Sequence, residues 1–344
     1  MTDDNTRYDS PMTMLAMAPT LTNSLVSEQT LKRFRRPETP LPTRITESDL
    51  LLLSALAQFR YLTTHQLARR AGRSEDATAK RLRRLFASGF VDRPIHQHAQ
   101  LAALLNPPLV YSLTRKGARE LTANGRSLDY RLDWTFRDAT NTFLAHTLEV
   151  ADVMLAFHFA ARQAGAPRLV DHHELLPLMP APTRELRDPF KLSVHIRHDF
   201  KPLTLSVVPD RCFSLVYPAE NFRHNFCLEL DRGQMSVGTK STKLTGKSSI
   251  RKKLIAYFHA HQQKKHTDVW GMQGFRVLTI TASETRINHM LEAQREVTND
   301  RAPQLFMYST PHRITEHGVF GPAWITAQAD GVSIIKQAIT GARS

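Results

Sequence analysis

Four residues of helix-capping type, Thr46, Thr63, Ser74 and Thr114, punctuate residues 44–125, and their spacing is what most narrows the folds open to this chain. Thr46 opens "TESD", with Asp49 three positions on and the apolar run "LLLSAL" behind it, the pattern of a capped helix that ends near Phe59. Thr63 caps a short helix, "AGRS" makes a turn, and Ser74 starts a second helix that runs to Ser88 and stops at Gly89. Along it Ala79, Leu82, Leu85 and Phe86 recur at helical spacing as the buried face, which leaves Thr78, Lys80, Arg81 and Arg84 outward. "FVDRPIH" and "LVYSLT" read as strands joined by a loop holding Asn106, Pro107 and Pro108, and Thr114 caps a further helix.

Helices followed by strand, loop and strand make a winged helix-turn-helix over residues 44–125. Residues 65–93 carry eight Lys or Arg against three acidic residues, so the charge lies where such a module meets DNA. Its second helix enters the major groove while neighbouring basic groups fix register on phosphates. Arg73, Thr78, Lys80, Arg81 and Arg84 are the expected contacts, with Arg93, His96 and His98 on the wing. A solvated, protein-binding face is the plainer alternative.

Whole-chain numbers agree with a polyanionic partner. The formal net charge is +14, with 41% hydrophobic and 23% charged residues. At 344 residues, two domains are expected rather than one. Two cysteines, Cys212 and Cys227, allow neither a disulfide framework nor a four-thiolate zinc site. No uninterrupted apolar run nears the roughly 18 residues that span a bilayer. The stretch "MLAMAPTL" follows Asp3 and Asp4 without a basic lead-in, so no secretory signal is expected and the cytoplasm is the expected compartment.

Residues 1–43 read as a flexible basic arm in which Lys32, Arg33, Arg35 and Arg36 are available to phosphates. Residues 126–135 read as a linker and 329–344 as a C-terminal helix or tail. Between them, residues 136–328 open with a long helix and continue with strand-like runs at "RLVDHHELL", "FKLSVHIRH", "LTLSVV", "RCFSLVYP" and "NFCLEL". Then come the helix "SSIRKKLIAYFHAHQQKK", the strand "FRVLTITAS", a second helix and the strand "QLFMYS". The alternation predicts an α/β domain with a mixed sheet, and α+β or α/β for the whole chain.

The order helix, three strands, helix, strand puts Asp210 at the start of the second core strand and "LELD" at the end of the third. Asp210 and Glu229 are 19 residues apart, enough for the chain to return beside itself and bring the acids together. Hard cations such as Mg²⁺ take one or two carboxylates plus water and phosphate, and an ion there would polarise a scissile phosphate. Asp210 and Glu229 are therefore the candidate metal ligands.

"VPD" with "LELD" resembles the PD-(D/E)xK (restriction-endonuclease-like) nuclease fold, in which a Pro-Asp, a following Asp/Glu-x-Lys and often a helix Glu form the site. Pro209-Asp210 and Glu229 match the first elements, and the resemblance implies Glu149 for the helix acid. Asp231 stands where the lysine belongs, leaving Lys253 to substitute from the next helix or the activity to be lost. The larger layout, "ITESDLLLLSALAQFRYLTTHQLAR", "YSLTRKGARELT", "FLAHTLEVADV", "PD", "LELDRG", "RKKLIAY" and "VLTITAS", resembles the replication-relaxation family of plasmid and mobile-element proteins over residues 44–328. That resemblance implies a DNA-binding protein acting in plasmid replication or relaxation, with plasmid replication or mobilisation proteins as further partners. A Mg²⁺-dependent endonuclease and a non-catalytic assembly factor are the alternatives.

Residues 234–265 contain no acid but carry Lys240, Lys243, Lys247, Arg251 and Lys252, a candidate phosphate-gripping segment. The histidine pair in "FHAH" (His259 and His261) falls on a helical run, where positions i and i+2 face apart and cannot share an ion. "HHE" (172–174) and "HQH" (96–98) read as chance neighbours among 16 histidines. Neither a phosphate-cradling G-x-x-x-x-G-K-[ST] loop nor a G-x-S-x-G elbow occurs.

Overall fold

The computed structural model describes residues 34–94, 97, 109–126, 141–165, 167–198, 200–239, 244–245 and 248–335. His96, His98, Lys32, Arg33, Lys240, Lys243 and Lys247, the expected linker at 126–135 beyond Arg126, and the end of the expected tail lie outside them. The chain divides into two compact units, up to Leu155 and from Ala156.

In the first unit, α1 (Glu47–Phe59), β1 (Tyr61–Thr63), α2 (Thr64–Ala71), α3 (Glu75–Ala87), β2 (Val91–Asp92), β3 (Val110–Leu113) and α4 (Arg115–Ala123) follow one another. Every expected cap is in place. Thr46 and Thr63 close capping boxes with Asp49 and Gln66, and the Ser74 and Thr114 hydroxyls accept from Ala77 N and Gly117 N. The strands form one antiparallel sheet in the order β1-β3-β2. Gly117 is obligatory at its position, because a Cβ there would lie 2.3 Å from the Phe90 carbonyl oxygen.

The buried face of α3 is Thr78, Leu82, Leu85 and Phe86, each apolar member contributing about 1.5–3 kcal/mol. Thr78 stands four residues before Leu82 and shares its stripe, so it is fully buried, and the expected outward placement is corrected. The helix α5 (Asn141–Ala164) buries Leu144 and Leu148 beside Tyr61 and Val110. Gln66 Nε2 donates to Leu148 O at 3.1 Å and Asp152 Oδ1 at 2.7 Å, tying α2 to it. By length and composition its segment Phe143–Ala164 is apolar enough to cross a membrane, with mean hydropathy 1.3, although Glu149 and Asp152 interrupt it.

The second unit is built on a five-stranded mixed sheet in the order β10-β9-β8-β7-β4, comprising β4 (Arg168–Val170), β7 (Arg211–Tyr217), β8 (Phe222–Asp231), β9 (Arg276–Thr281) and β10 (Phe306–Ser309). Pairs β4/β7 and β7/β8 are antiparallel, while β8/β9 and β9/β10 are parallel. Parallel neighbours require crossovers, supplied by α8 (Ile250–Gln262) and α10 (Glu284–Thr298), with the short helices α7 (Ala181–Arg184) and α9 (Lys265–Trp270) preceding each in the chain. Such strands are covered on both faces, and β9 reads accordingly as "RVLTIT" with five consecutive buried residues.

Two expectations are corrected here. "RLVDHHELL" is a strand only to Val170; Asp171 then closes a capping box with Glu174 and turns the chain into a short helix, α6 (His172–Leu175). The runs "FKLSVHIRH" and "LTLSVV" form β5 (Leu192–His198) and β6 (Lys201–Val207), a separate two-stranded sheet rather than part of the core sheet. Its inner residues Leu192, Val194, Leu205 and Val207 join the core that α8 also covers.

Candidate functional site

Register brings the two carboxylates together. Arg211 pairs with Leu228 across β7 and β8, so one step further along the same register sets Asp210 opposite Glu229. The contact is fixed by Leu230 N, which donates to Asp210 Oδ2 at 2.7 Å. Glu229 sits within the buried part of β8 and is only 5% exposed.

A carboxylate this deep needs partners, since burying an unpaired charge is prohibitive. Two come from α8, where Lys253 and Tyr257 stand four residues apart on one face. Lys253 Nζ donates to Glu229 Oε2 at 2.5 Å, and Tyr257 Oη donates to Glu229 Oε1. Lys253, the residue expected to substitute for a lysine at position 231, contacts Glu229 from the next helix. Tyr257 was not among the expected site residues, although its spacing from Lys253 in "RKKLIAY" is the signal that marks it.

The electrostatics favour a neutral Glu229. Burial, and then the Asp210 charge, push its carboxyl up to about 7 against the pull of Lys253. Burial also works against the Lys253 cation, but Glu229 and Asp210 outweigh it and raise the ammonium above its usual value. Lys253 therefore stays charged across the range in which Glu229 titrates. The Tyr257 phenol is raised well above its usual range, by burial first and then by Glu229. Two pairs along the same strands, Cys212 faces Cys227 with the sulfurs 3.9 Å apart and both thiols buried.

Asp231 has a different environment from the other two acids. Arg286 on α10 donates to both its oxygens, through Nη2 to Oδ1 at 2.9 Å and through Nε to Oδ2, and Thr281 Oγ1 donates to Oδ2 at 2.6 Å. These bonds tie the end of β8 to β9 and α10, so Asp231 is an anchor rather than the catalytic group expected. Arg211 turns to Asp171, donating through Nε at 2.9 Å and Nη2 at 3.1 Å. Glu149, the expected helix acid, is half-buried on α5 and belongs to the first unit.

Two hard oxygen donors, Asp210 and Glu229, suit Mg²⁺, which takes one or two protein carboxylates and completes its shell with water and phosphate. Among the described residues no group of three or more His, Cys, Asp or Glu is gathered for a metal. The "FHAH" histidines lie on α8, where His261 stacks on His266 and His259 meets Phe258 edge-on.

The basic residues divide into exposed and engaged. Lys80 and Arg84 are exposed on α3, and Arg84 makes long hydrogen bonds at 3.4 Å to Thr43 Oγ1 and Pro42 O. Arg73 is half-buried and donates to Ser48 Oγ at 2.7 Å. Arg81 is committed within the fold, reaching Asp49 Oδ1 at 2.5 Å, Asp49 Oδ2 and Arg44 O. Burial pushes the Asp49 carboxyl up, but hydrogen bonds from Arg81 and Thr46 prevail and hold it below its usual value.

Arg93 is buried, its guanidinium 4.2 Å above the Phe86 ring and bonded to Tyr111 Oη, so it is not the wing contact expected. Arg36 of the supposed arm donates to Phe86 O and Val91 O and pairs with Asp92 at 3.0 Å. Arg251 pairs with Glu296 at 2.6 Å, which removes it from the phosphate-gripping set, and Lys252 is half-buried.

The sequence profile described as Replication-relaxation matches residues 53–268, which take in both carboxylates, Lys253 and Tyr257. A solved structure of restriction endonuclease FokI aligns at 11% identity with a TM-score of 0.25, over 80% of this chain and 45% of that one. The chain thus spans less than half the length of that enzyme. No curated protein matches the chain.

Proposed function

The chain belongs to the replication-relaxation family, which fits a DNA-related role, and from that premise we propose that it binds duplex DNA of a plasmid or mobile element and cuts one strand with Mg²⁺. The first unit acts in this reading as a winged helix, with α3 as the recognition helix and Lys80, Arg84 and Arg73 as its contacts. The second acts as a PD-(D/E)xK-type nuclease domain whose lysine has moved to α8. The protein works in the cytoplasm, alongside plasmid replication or mobilisation proteins.

One observation carries the catalytic part: the contact of Lys253 with Glu229 opposite Asp210 assembles two acids and one ammonium despite the missing Glu-x-Lys. Asp210 and Glu229 would hold Mg²⁺, each carboxylate oxygen having a second lone pair beyond the hydrogen bond it accepts. When bound, the ion supplies polarisation of the scissile phosphate and an acidified water. Lys253 remains protonated, so it serves as a fixed positive charge for a phosphate oxygen and not as a base. Tyr257 orients the Glu229 carboxylate by donating to Oε1.

A second reading follows from the same contacts. Lys253 and Tyr257 engage both oxygens of Glu229, as they would in a retired site kept for stability. Supercoiled plasmid incubated with Mg²⁺, Mn²⁺ or EDTA separates the two. Nicking that needs metal and disappears in Asp210→Ala, Glu229→Ala and Lys253→Ala supports the nuclease. Intact plasmid with retardation that weakens steeply with salt sinks it and leaves DNA binding alone.

A further inference from the structure

We propose that the β5–β6 hairpin is a DNA-contacting wedge whose tip residue, Phe200, stacks on an unpaired or opened base. The inference rests on the DNA-binding reading above and adds a contact that it does not contain.

The tip is built against the usual rule for hairpins. His198 pairs with Lys201, so two residues separate the paired strand ends, as in a two-residue hairpin connection. Such loops favour Asn-Gly or Asp-Gly, because the second residue often needs a positive φ. Here the pair is Asp-Phe, and Phe200 adopts φ +62°, a conformation uncommon for a bulky side chain. Strain of this kind persists where the surroundings enforce it and gathers at functional positions. The ring gains no packing in return, since Phe200 is 95% exposed, the most exposed large hydrophobic side chain among the described residues.

The flanks are suited to a polyanion. Arg197 and Lys201 are exposed on either side of the tip. The outward face continues with Ser193 hydrogen-bonded to Ser206 at 2.9 Å and His195 to Thr204 at 2.9 Å. Neither strand contains a carboxylate, and the sequence from Lys191 to Val208 holds one acid, Asp199. Cationic groups beside a bare ring, with imidazole and hydroxyl groups further down the strands, are the elements of a sequence-tolerant grip on a nucleic-acid strand, in which bases stack on aromatics while cations follow the backbone.

The base of the hairpin is rigid, with Leu192, Val194, Leu205 and Val207 in the core and Gln263 Nε2 donating to His195 O at 2.9 Å. Helix α8, which packs against both strands, also presents Lys253 and Tyr257 to Glu229. The wedge and the acidic site therefore share one mechanical support, helix α8.

Phe200→Gly is an unusually clean test, because glycine suits the positive φ and preserves the turn. Full-length wild type and Phe200→Gly are titrated against a single-stranded oligonucleotide containing 2-aminopurine and against its duplex, with thermal melting as the control for folding. The expected result is tight binding with a fluorescence change for the wild type. Phe200→Gly should melt no lower, lose the fluorescence change, and bind the single strand roughly 5- to 150-fold more weakly. Arg197→Ala with Lys201→Ala should weaken both probes and flatten the salt dependence. Equal single-strand affinities for wild type and Phe200→Gly overturn the wedge while leaving the DNA-binding reading intact, and the exposed ring then belongs to a protein contact. Failure of the wild type to bind either probe overturns both.

Discussion

Replacing Glu229 by Gln isolates the electrostatic cost built into the acidic site. The Glu229 carboxyl is raised from 4.5 to about 7 on folding, chiefly by burial and then by Asp210. At about 1.36 kcal/mol per pKa unit, the ionised form is disfavoured in the fold by about 3 kcal/mol. Since the folded value lies above the unfolded one, the folded chain binds this proton more tightly. Its contribution to stability is therefore fully present below pH 4.5, declines as the pH rises to about 7, and is level beyond that. Gln has nearly the shape of the protonated acid and cannot ionise. Glu229→Gln should match the wild type in stability near pH 4.5 and exceed it by about 3 kcal/mol at pH 8 in EDTA. Urea denaturation of both proteins across this range, followed by Trp fluorescence, reads the difference. Saturating Mg²⁺ should recover part of the wild-type loss at pH 8 and do nothing for the variant. A stability difference that stays constant with pH would refute the reasoning and make Glu229 an ordinary ion-pair member.

Two other substitutions separate structure from binding. Arg286→Ala strands the buried Asp231 and should destabilise the second unit by about 3–5 kcal/mol, visible as a lower denaturation midpoint. Lys80→Ala and Arg84→Ala should each weaken duplex binding at every sequence and lower the salt slope by about 1, with folding intact. Arg93→Ala should instead lower the melting temperature of the first unit, because its guanidinium packs on Phe86 and Tyr111.

Local signals are legible in this sequence and the choice of distant partners is not. The caps at Thr46, Thr63, Ser74 and Thr114 involve residues three apart, so the sequence carries both halves of each interaction. The meeting of Asp210 and Glu229 was legible because a hairpin of that length returns on itself. Lys253 was legible only as a candidate, since its approach depends on how α8 docks across the sheet. A cation looks exposed in sequence, so the internal contacts of Arg81 and Arg93 are not legible there, and nothing near Arg81 announces Asp49 as its partner. Thr78 carries two opposed signals: its hydroxyl suggests solvent, while its spacing from Leu82 puts it on the buried stripe. The capping box Asp171 to Glu174 is present in "DHHE", but the apolar run "RLV" before it reads equally as the start of a longer strand. Alternation also identified β5 and β6 as strands but could not say that they pair only with each other, because inward and outward residues alternate the same way in any sheet.

The topology of β8 imposes an order in time. On one edge β8 meets β7, its neighbour in the chain, through a short hairpin; on the other it meets β9 only after α8 has crossed over. Contacts between near neighbours close early and those between distant segments close late. Asp210 and Glu229 are thus brought face to face while Lys253 is still unattached, and the nascent hairpin must carry two mutually repelling acids until the helix arrives. A proton on Glu229 relieves that wait, so the rate of refolding, and not only the final stability, is tied to acidity: the refolding arm of wild type slows as pH rises above the unfolded value of 4.5, whereas that of Glu229→Gln does not.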